Sequence, residues 1–320
     1  MLDDKINIYL PKEIANSLDD DAISFEIFKN DGFSINRNRF LSSLIIGYAH
    51  KYEDEIDNYI TLIENELKNE KISKNRATHI AKKIVENVFM SEISNGRNGS
   101  VVFSLKPTGQ TKNIIEYIYL NLNNNSVSQY FCKLFLNYLK KPRYEREQLI
   151  FKNTYDVISD AIKKNKMVYF STTRSNTMHE VSPFTIANSK EELHNYLLCD
   201  EIIEDKHTVQ TYRLNRIKSI NMSNRKRIIL EENIGFFKKM IMYGPQYVID
   251  HNELTTIVFN DSGIKTFNKI YINKPNPIKR TRRDNGEWEC VFDCSKKQVD
   301  QFLNKFEDKT SFIIKDHITK

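Results

Sequence analysis

Two arginines, Arg213 and Arg216, lie among aromatic and aliphatic residues in the segment Tyr212–Ile217, which reads YRLNRI. Guanidinium groups form paired hydrogen bonds with phosphate oxygens, and a neighbouring tyrosine ring can stack on a base. Arg213 and Arg216 are three positions apart, so a straight strand would direct them to opposite faces. They can meet one ligand only if the chain turns near Asn215, a residue that tolerates turn geometry. The segment therefore indicates an anion-binding site at a turn.

The alternative is that these two arginines form ion pairs with carboxylates and only stabilise the fold. Glu201, Glu204 and Asp205 are near enough in sequence to serve as partners across a hairpin. The sequence leaves both interpretations open.

The sequence has none of the motifs G-x-x-x-x-G-K-[ST], G-x-G-x-x-G, H-E-x-x-H or G-x-S-x-G. Arg174 and His179 have the R-x4-H spacing of a family of RNA-cleaving helical domains, but here the spacing falls in a predicted turn between strands. We therefore expect Arg174 to add positive charge beside the ligand. The four cysteines include no CxxC pair, which argues against a zinc site. We predict a protein that is not an enzyme, with no catalytic residue, metal or cofactor.

The charge balance permits an anionic partner without requiring one. Lys and Arg total 48 against 42 Asp and Glu, and the excess is concentrated in three segments. These segments are 140–143, 225–227 and 279–283. The N-terminus has no apolar run of signal-peptide length, and the longest apolar segment, 40–49, is too short to cross a bilayer. We expect a reduced, cytoplasmic protein that does not contact membranes.

The N-terminal segment KINIYL alternates strictly between polar and apolar residues, which predicts a half-buried strand. Its outward residues are Lys5, Asn7 and Tyr9. Two helices are predicted after it, at about 11–29 and 37–67.

The same order of elements returns in the segment that starts with SVVFSLKP. A helix is predicted at 111–122, followed by an asparagine-rich break and a helix opened by Ser126 or Ser128. This repetition indicates an internal duplication. Because a single such strand is not stable alone, we expect the two copies to pair with each other or with a second chain.

The C-terminal half changes to shorter elements. A helix is predicted at about 143–165, and five short strands follow between 166 and 222, which favours a small β-barrel. From Thr255 onward the pattern reads β-α-β-β-α-β, the order of a ferredoxin-like fold.

The C-terminal half resembles the WYL family of bacterial regulators. The namesake tripeptide corresponds to Asn195–Leu197, with Asn in place of Trp, and the arginine signature corresponds to Tyr212–Ile217. Tyr169 and Pro183 also match family positions. The resemblance covers roughly residues 140–320 and implies an Sm-like barrel that senses an anionic ligand, often a single-stranded nucleic acid or a nucleotide. The ligand residues that we predict are Tyr169, Arg174, Tyr196, Arg213 and Arg216.

The N-terminal unit resembles ribbon-helix-helix DNA-binding domains, in which two antiparallel strands enter the major groove. The resemblance implies that Lys5, Asn7 and Tyr9 face base edges. It places Arg37 and Arg39, near the start of the second helix, on phosphates. The alternative is that the outward strand residues are only a solvated face.

Together these features predict an α+β protein with a helical N-terminal half. The predicted domains are a ribbon-helix-helix-like domain (1–95), a second such unit with a linker helix (96–165), a WYL Sm/SH3-like β-barrel (166–230) and a ferredoxin-like dimerisation extension (231–320).

We consider three functional hypotheses. The first is a homodimeric nucleic-acid-binding regulator of transcription, with the ribbon on DNA and the barrel on a ligand. The second is a single-stranded-RNA-binding accessory protein that modulates an RNA-targeting CRISPR effector, since some WYL proteins of this architecture accompany such effectors. The third is an interaction module whose barrel binds nothing. An exposed ribbon would favour duplex DNA. A covered ribbon, with a basic surface along Arg213, Arg216 and Arg280–Arg283, would favour single-stranded RNA.

Overall fold

The computed structural model describes residues 5–90, 100–120, 122, 126–175, 177–270 and 274–319, without the side chains of 86–90. The chain divides into two compact units, Met1–Lys152 and Asn153–Lys320, which we call the N-terminal and C-terminal units. None of the helices in the described ranges has the length and apolar character needed to cross a bilayer. Helices and three antiparallel sheets confirm the predicted mixed α+β class.

The N-terminal unit follows the predicted order of strands and helices, with shifted ends. Its elements are β1 (Ile6–Pro11), α1 (Lys12–Ser24), α2 (Arg37–Asn69), α3 (Lys74–Met90), β2 (Ser100–Leu105), α4 (Gly109–Leu120), α5 (Val127–Leu139) and α6 (Arg143–Ile150). Helix α1 ends five residues before the predicted Lys29, because Glu26 adopts a positive φ of 57° that a helix cannot continue. The Asn36 side chain caps α2, and Ser126 caps α5 in a capping box with Gln129.

Strands β1 and β2 pair antiparallel within the one chain, so the two copies of the duplication complete each other. We call this two-stranded sheet the ribbon. Its inner face is buried, with Ile8 and Phe103 opposite one another in a single apolar core that draws residues from both copies. The boundary predicted near residue 95 therefore lies inside this unit, and residues 91–99 with their predicted NGRNG loop lie outside the described residues.

Gly47 marks the closest approach between helices α2 and α6. A Cβ atom at this position would lie 1.9 Å from the carbonyl oxygen of Leu149, well inside contact distance. The absence of a side chain is thus what lets the two backbones pack together.

Asp21 is a buried carboxylate in the same unit, with only 1% of its surface exposed. Arg146 Nη1 donates to it at 2.6 Å, and Arg143 Nε lies 4.0 Å away. Burial raises the pKa of Asp21, and the charge of Arg146 opposes that effect. Arg146 is therefore the group that makes a buried negative charge tolerable here.

We expect Arg146→Met to lower the free energy of unfolding by about 3 kcal/mol, because it leaves a buried carboxylate without its main partner. Since burial raises the folded-state pKa of Asp21, this loss should shrink as the pH falls through that pKa and the carboxyl group takes a proton. Urea denaturation followed by circular dichroism at neutral and acidic pH measures both effects. Arg146→Lys keeps the charge and should lose less; equal losses in the two variants would contradict the interpretation.

The C-terminal unit begins with α7 (Lys152–Lys163) and a five-stranded antiparallel sheet. The strands are β3 (Lys166–Thr172), β4 (His179–Asn188), β5 (Asn195–Ile203), β6 (Lys206–Arg213) and β7 (Ile217–Lys226), in the sheet order β6-β5-β4-β3-β7. The single helix predicted at 143–165 is wrong, since the chain leaves helical geometry at Phe151 (ψ 35°) between α6 and α7. Among the described residues β6 does not pair with β7, so the sheet is open and the predicted closed barrel is not formed.

The rest of the C-terminal unit follows the order β-α-β-β-α-β after one helix. The elements are α8 (Glu231–Tyr243), β8 (Glu253–Phe259), α9 (Asp261–Lys269), β9 (Pro277–Arg282), β10 (Trp288–Phe292), α10 (Lys296–Leu303) and β11 (Phe312–Thr319). The sheet order is β11-β8-β10-β9, all antiparallel, which leaves β11 and β9 as its edges. Helices α9 and α10 cover one face through a phenylalanine-rich core.

Candidate functional site

The chain turns between β6 and β7, at the position where two convergent arginines require it. Residues Leu214–Arg216 form one turn of 3-10 helix, and the Asn215 side chain is buried within it. The turn carries the backbone from β6, which lies next to β5, to β7, which lies next to β3. The Thr173 N–H donates to the Arg216 carbonyl at 2.9 Å. As a result Arg213 and Arg216 face the same space.

That space is an open cavity of about 430 Å³, which we call the arginine cavity. Its size lies in the range of small-molecule sites. It is lined by Thr172, Arg174, His179, Glu192, Tyr196, Thr211, Tyr212, Arg213, Arg216, Gln246, Tyr247, Lys297 and Gln301. The sheet supplies one wall, and the segment after α8 together with α10 supplies the other.

The charge of the arginine cavity is strongly positive. Arg174, from the segment after β3, and Lys297, from α10, join the two arginines of the turn. Among the described residues of the lining, Glu192 is the one carboxylate, so permanent cations exceed anions by three. Such an excess inside a concave wall attracts and holds an anion more strongly than the same charges spread over a flat surface.

The loop between β4 and β5 holds two polar side chains at the cavity mouth. The Ser189 N–H donates to the His194 carbonyl at 2.8 Å, and the Glu192 N–H donates to Ser189 Oγ at 3.1 Å. The tight loop places Glu192 where the Tyr196 hydroxyl donates to it, and places His194 Nε2 against Arg213 Nη2. The orientation of Arg213 is therefore fixed by the loop before a ligand arrives.

Tyr196 is positioned by hydrogen bonding and offers little ring surface, because only 7% of it is exposed. Burial and the bond to Glu192 raise its pKa, while the nearby charges of Arg213 and Arg216 oppose the rise. Tyr196 therefore exposes little ring surface for the stacking that we expected of it.

Glu201, one of the carboxylates considered as a partner for the arginines, has hydrogen-bond partners in Tyr212 and His179. The Tyr212 hydroxyl donates a hydrogen bond to Glu201. His179 Nδ1 lies 2.8 Å from Glu201 Oε1 and 3.0 Å from the Tyr212 hydroxyl oxygen. Burial and the bond to Glu201 raise the pKa of Tyr212.

The structure brings together four of the five predicted ligand residues: Arg174, Tyr196, Arg213 and Arg216. Tyr169 lies outside the cavity lining. It alternates along β3 with Val168 and Phe170, which are fully buried, so its half-exposed ring is on the other face of the sheet. Arg174 and His179 both line the cavity, but neither is on a helix.

The predicted base-facing residues Lys5, Asn7 and Tyr9 are all exposed on the outer face of the ribbon. Ser104 Oγ donates to Asn7 Oδ1 at 2.8 Å across the two strands, and Tyr9 lies opposite Val102.

The two predicted phosphate contacts differ from each other. Arg37 donates to both carboxylate oxygens of Asp19, at 2.9 and 2.6 Å. Its guanidinium also lies 4.8 Å from the ring centre of Phe103, so Arg37 packs against the buried face of the ribbon. Arg39 is exposed at the start of α2, with its backbone N–H bound to the Asn36 cap.

Sequence reasoning missed Lys297, His194 and Glu192. Lys297 lies in α10, more than 80 positions from Arg216, and it carries no local signal that links it to the turn. The loop residues could have been found, because Ser189 to His194 is a short polar connection directly before the strand that bears Tyr196.

Comparison with known proteins places the fold but not the family. No family model matches the sequence, and no curated protein matches it. Among solved structures, the chain is similar to one described as a CRISPR Cas-related protein, with a TM-score of 0.72 and 17% identity over 99% of this chain and 90% of that one. The proteasome accessory factor PafBC of Arthrobacter aurescens gives a TM-score of 0.27 and 11% identity over 79% of this chain and 42% of that one, too low for any conclusion. The first similarity shows a shared fold over nearly the whole chain.

Proposed function

We propose that this protein is a nucleic-acid-binding regulator without catalytic activity, and that the arginine cavity binds the phosphates of a single-stranded nucleic acid or a nucleotide. The observation that carries the proposal is the convergence of Arg174, Arg213, Arg216 and Lys297 on one open cavity. Guanidinium forks bind phosphate oxygens in pairs, and Lys297 adds a point charge from the opposite wall. Charge is proposed as the main means of binding, and the two tyrosines expected to stack contribute little, because Tyr196 is buried and Tyr169 is on the other face.

The ribbon is proposed as a second contact, for duplex DNA. Its outer face is exposed, and the major groove admits a two-stranded ribbon of this kind. Asn7 and Tyr9 are the residues able to touch base edges, and Lys5 and Arg39 are the cations able to contact phosphates. Arg37 is proposed to act indirectly, by holding the ribbon through Phe103.

A second candidate function is that of an RNA-binding accessory protein for a CRISPR effector. The similarity over 99% of the chain to a CRISPR Cas-related protein favours it. In that case the arginine cavity would be the principal site and the ribbon face would contact protein.

We also propose that the protein forms a homodimer, through a surface other than the ribbon. One chain supplies both strands of the ribbon, so a second chain is not needed to complete it. Light scattering at micromolar concentration should give twice the mass of one chain; the mass of a single chain would contradict this proposal.

A gel-shift panel of duplex DNA, single-stranded DNA and single-stranded RNA, each at several salt concentrations, tests these functions. If the ribbon binds DNA, Asn7→Ala with Tyr9→Ala should weaken duplex binding and leave single-strand binding unchanged. If the protein is an RNA accessory factor, single-stranded RNA should bind most tightly and the ribbon variant should match the parent. Equal, weak and steeply salt-dependent binding to all three would contradict both functions.

A further inference from the structure

A second cluster of cations surrounds the only tryptophan in the chain, Trp288. It lies at the β9 edge of the C-terminal sheet, and its residues differ from those that line the arginine cavity. Arg280 Cζ lies 4.4 Å from the centre of the Trp288 ring, and Arg282 Cζ lies 6.0 Å from it. Lys274 Nζ lies 3.9 Å from the ring centre of Phe267 on α9, beside them. We call Lys274, Arg280, Arg282 and Trp288 the Trp288 edge.

The cations of the Trp288 edge lack carboxylate partners among the residues that the structure describes. Arg280 has one weak polar contact, with Asn268 Oδ1 at 3.5 Å. Arg283, next along the chain, is different: it forms ion pairs with Glu289 at 2.5 Å and Glu287 at 3.7 Å. Burial and the nearby charge of Arg280 lower the pKa of Lys274, as expected where like charges crowd together. An anion placed here would relieve that repulsion.

The backbone arranges this cluster in a row. Arg280 and Arg282 are two positions apart on β9, so they lie on the same face about 7 Å apart. Their partners across the ladder are Cys290 and Trp288, on the face of the sheet that the helices cover elsewhere. Strand β9 is an edge, and both arginines are exposed. The arrangement combines a partly exposed Trp288 ring, which packs against the core and lies under the Arg280 guanidinium, with a row of positive charges.

We infer that the Trp288 edge is a second binding site for single-stranded nucleic acid, at which phosphates contact Lys274, Arg280 and Arg282 and an unpaired base stacks against the Trp288 and arginine planes. This inference rests on the proposed function and adds to it an aromatic surface outside the arginine cavity. Platforms of aromatic and guanidinium groups within a cationic groove bind single strands with little sequence preference. A duplex keeps its bases stacked internally, so it gains only the phosphate contacts.

Trp288 provides a direct readout, because the intrinsic tryptophan fluorescence of this 320-residue chain comes from this site alone. Titration with an oligouridylate of about 15 nucleotides should quench that fluorescence, and a duplex of equal length should quench it far less. Arg280→Gln with Arg282→Gln should weaken oligouridylate binding about tenfold, and should lower the slope of log affinity against log salt by about 1.4, for two lost phosphate contacts.

The matched control is Lys163→Gln with Lys238→Gln, which removes the same charge from two exposed positions on α7 and α8. It should change neither the quenching nor the slope beyond a small general effect. Trp288→Leu keeps an apolar side chain on the core and should weaken binding about tenfold by removing the stack. Circular dichroism checks that each variant is folded.

The outcomes separate this inference from the proposed function. One outcome is oligonucleotide binding that does not quench Trp288 fluorescence and is equally strong in the parent and in Arg280→Gln/Arg282→Gln. This outcome would overturn the Trp288 edge but would not contradict the arginine cavity. Binding that is lost in that variant but unaffected by substitution of Arg213 and Arg216 would support the Trp288 edge and overturn the role of the cavity. A parent protein that binds no oligonucleotide would overturn both.

Discussion

Replacing Arg213 and Arg216 together with glutamine is expected to weaken the binding of a single-stranded oligonucleotide or nucleotide at least about 100-fold. Hydrogen bonds to charged groups contribute about 1.5–3 kcal/mol each, and two such contacts are lost in this variant. The two side chains face one cavity from either end of a single 3-10 turn, so the same ligand loses both contacts. Fluorescence polarisation with a labelled strand, measured at several salt concentrations, gives the affinity and the number of phosphate contacts removed.

Two further variants decide whether geometry or charge causes that loss. Arg213→Lys with Arg216→Lys keeps both charges but cannot form the paired bonds of a guanidinium fork, so it should recover only part of the affinity. Lys163→Gln with Lys238→Gln removes two charges elsewhere in the same unit and should bind nearly as the parent does. Unchanged affinity in the glutamine variant, with an unchanged melting temperature, would contradict the proposal that the arginine cavity binds the ligand.

Gly47→Ala is expected to destabilise the N-terminal unit by about 3 kcal/mol or more, although alanine is the better helix former. The added methyl group would lie 1.9 Å from the Leu149 carbonyl oxygen, a backbone atom that can move only if α6 shifts away from α2. Urea denaturation followed by circular dichroism should show a lower midpoint.

Gly235→Ala is the matched control for this substitution. Gly235 also lies within a helix, α8, but a Cβ there would have no neighbour within 4 Å. This variant should therefore gain roughly 0.8–1 kcal/mol from helix propensity alone. A gain of the same size in Gly47→Ala would show that α2 and α6 are not packed as described.

Local patterns in the sequence were sufficient for the two ribbon strands and for the turn, but not for the break at Phe151 or for helix α8. Alternation in KINIYL and SVVFSL gives the ribbon its buried face, and Asn215 lies in the 3-10 turn where two arginines three positions apart require one. Ser126, one of the two serines expected to open α5, caps that helix, because a side-chain acceptor just before a helix satisfies its first N–H groups.

What the sequence could not provide depends on contacts between distant residues. Whether the five-stranded sheet closes depends on which strand pairs with β7. Among the described residues β7 pairs with β3 and not with β6. The position of Lys297 opposite the turn depends on packing within the C-terminal unit, which no local period encodes. Arg37 was expected on a phosphate, but Asp19, 18 positions away, pairs with it when α1 and α2 pack.

The ribbon consists of two unlike sequences, INIYLP and SVVFSL, within one polypeptide. Where two identical chains meet on a two-fold axis, the DNA they recognise carries matching half-sites in opposite orientation. This chain carries no such symmetry requirement, since mutation can alter one strand without altering the other. Each ribbon is therefore expected to prefer an asymmetric duplex sequence and to bind it in a single orientation, and a homodimer would contact two such sequences.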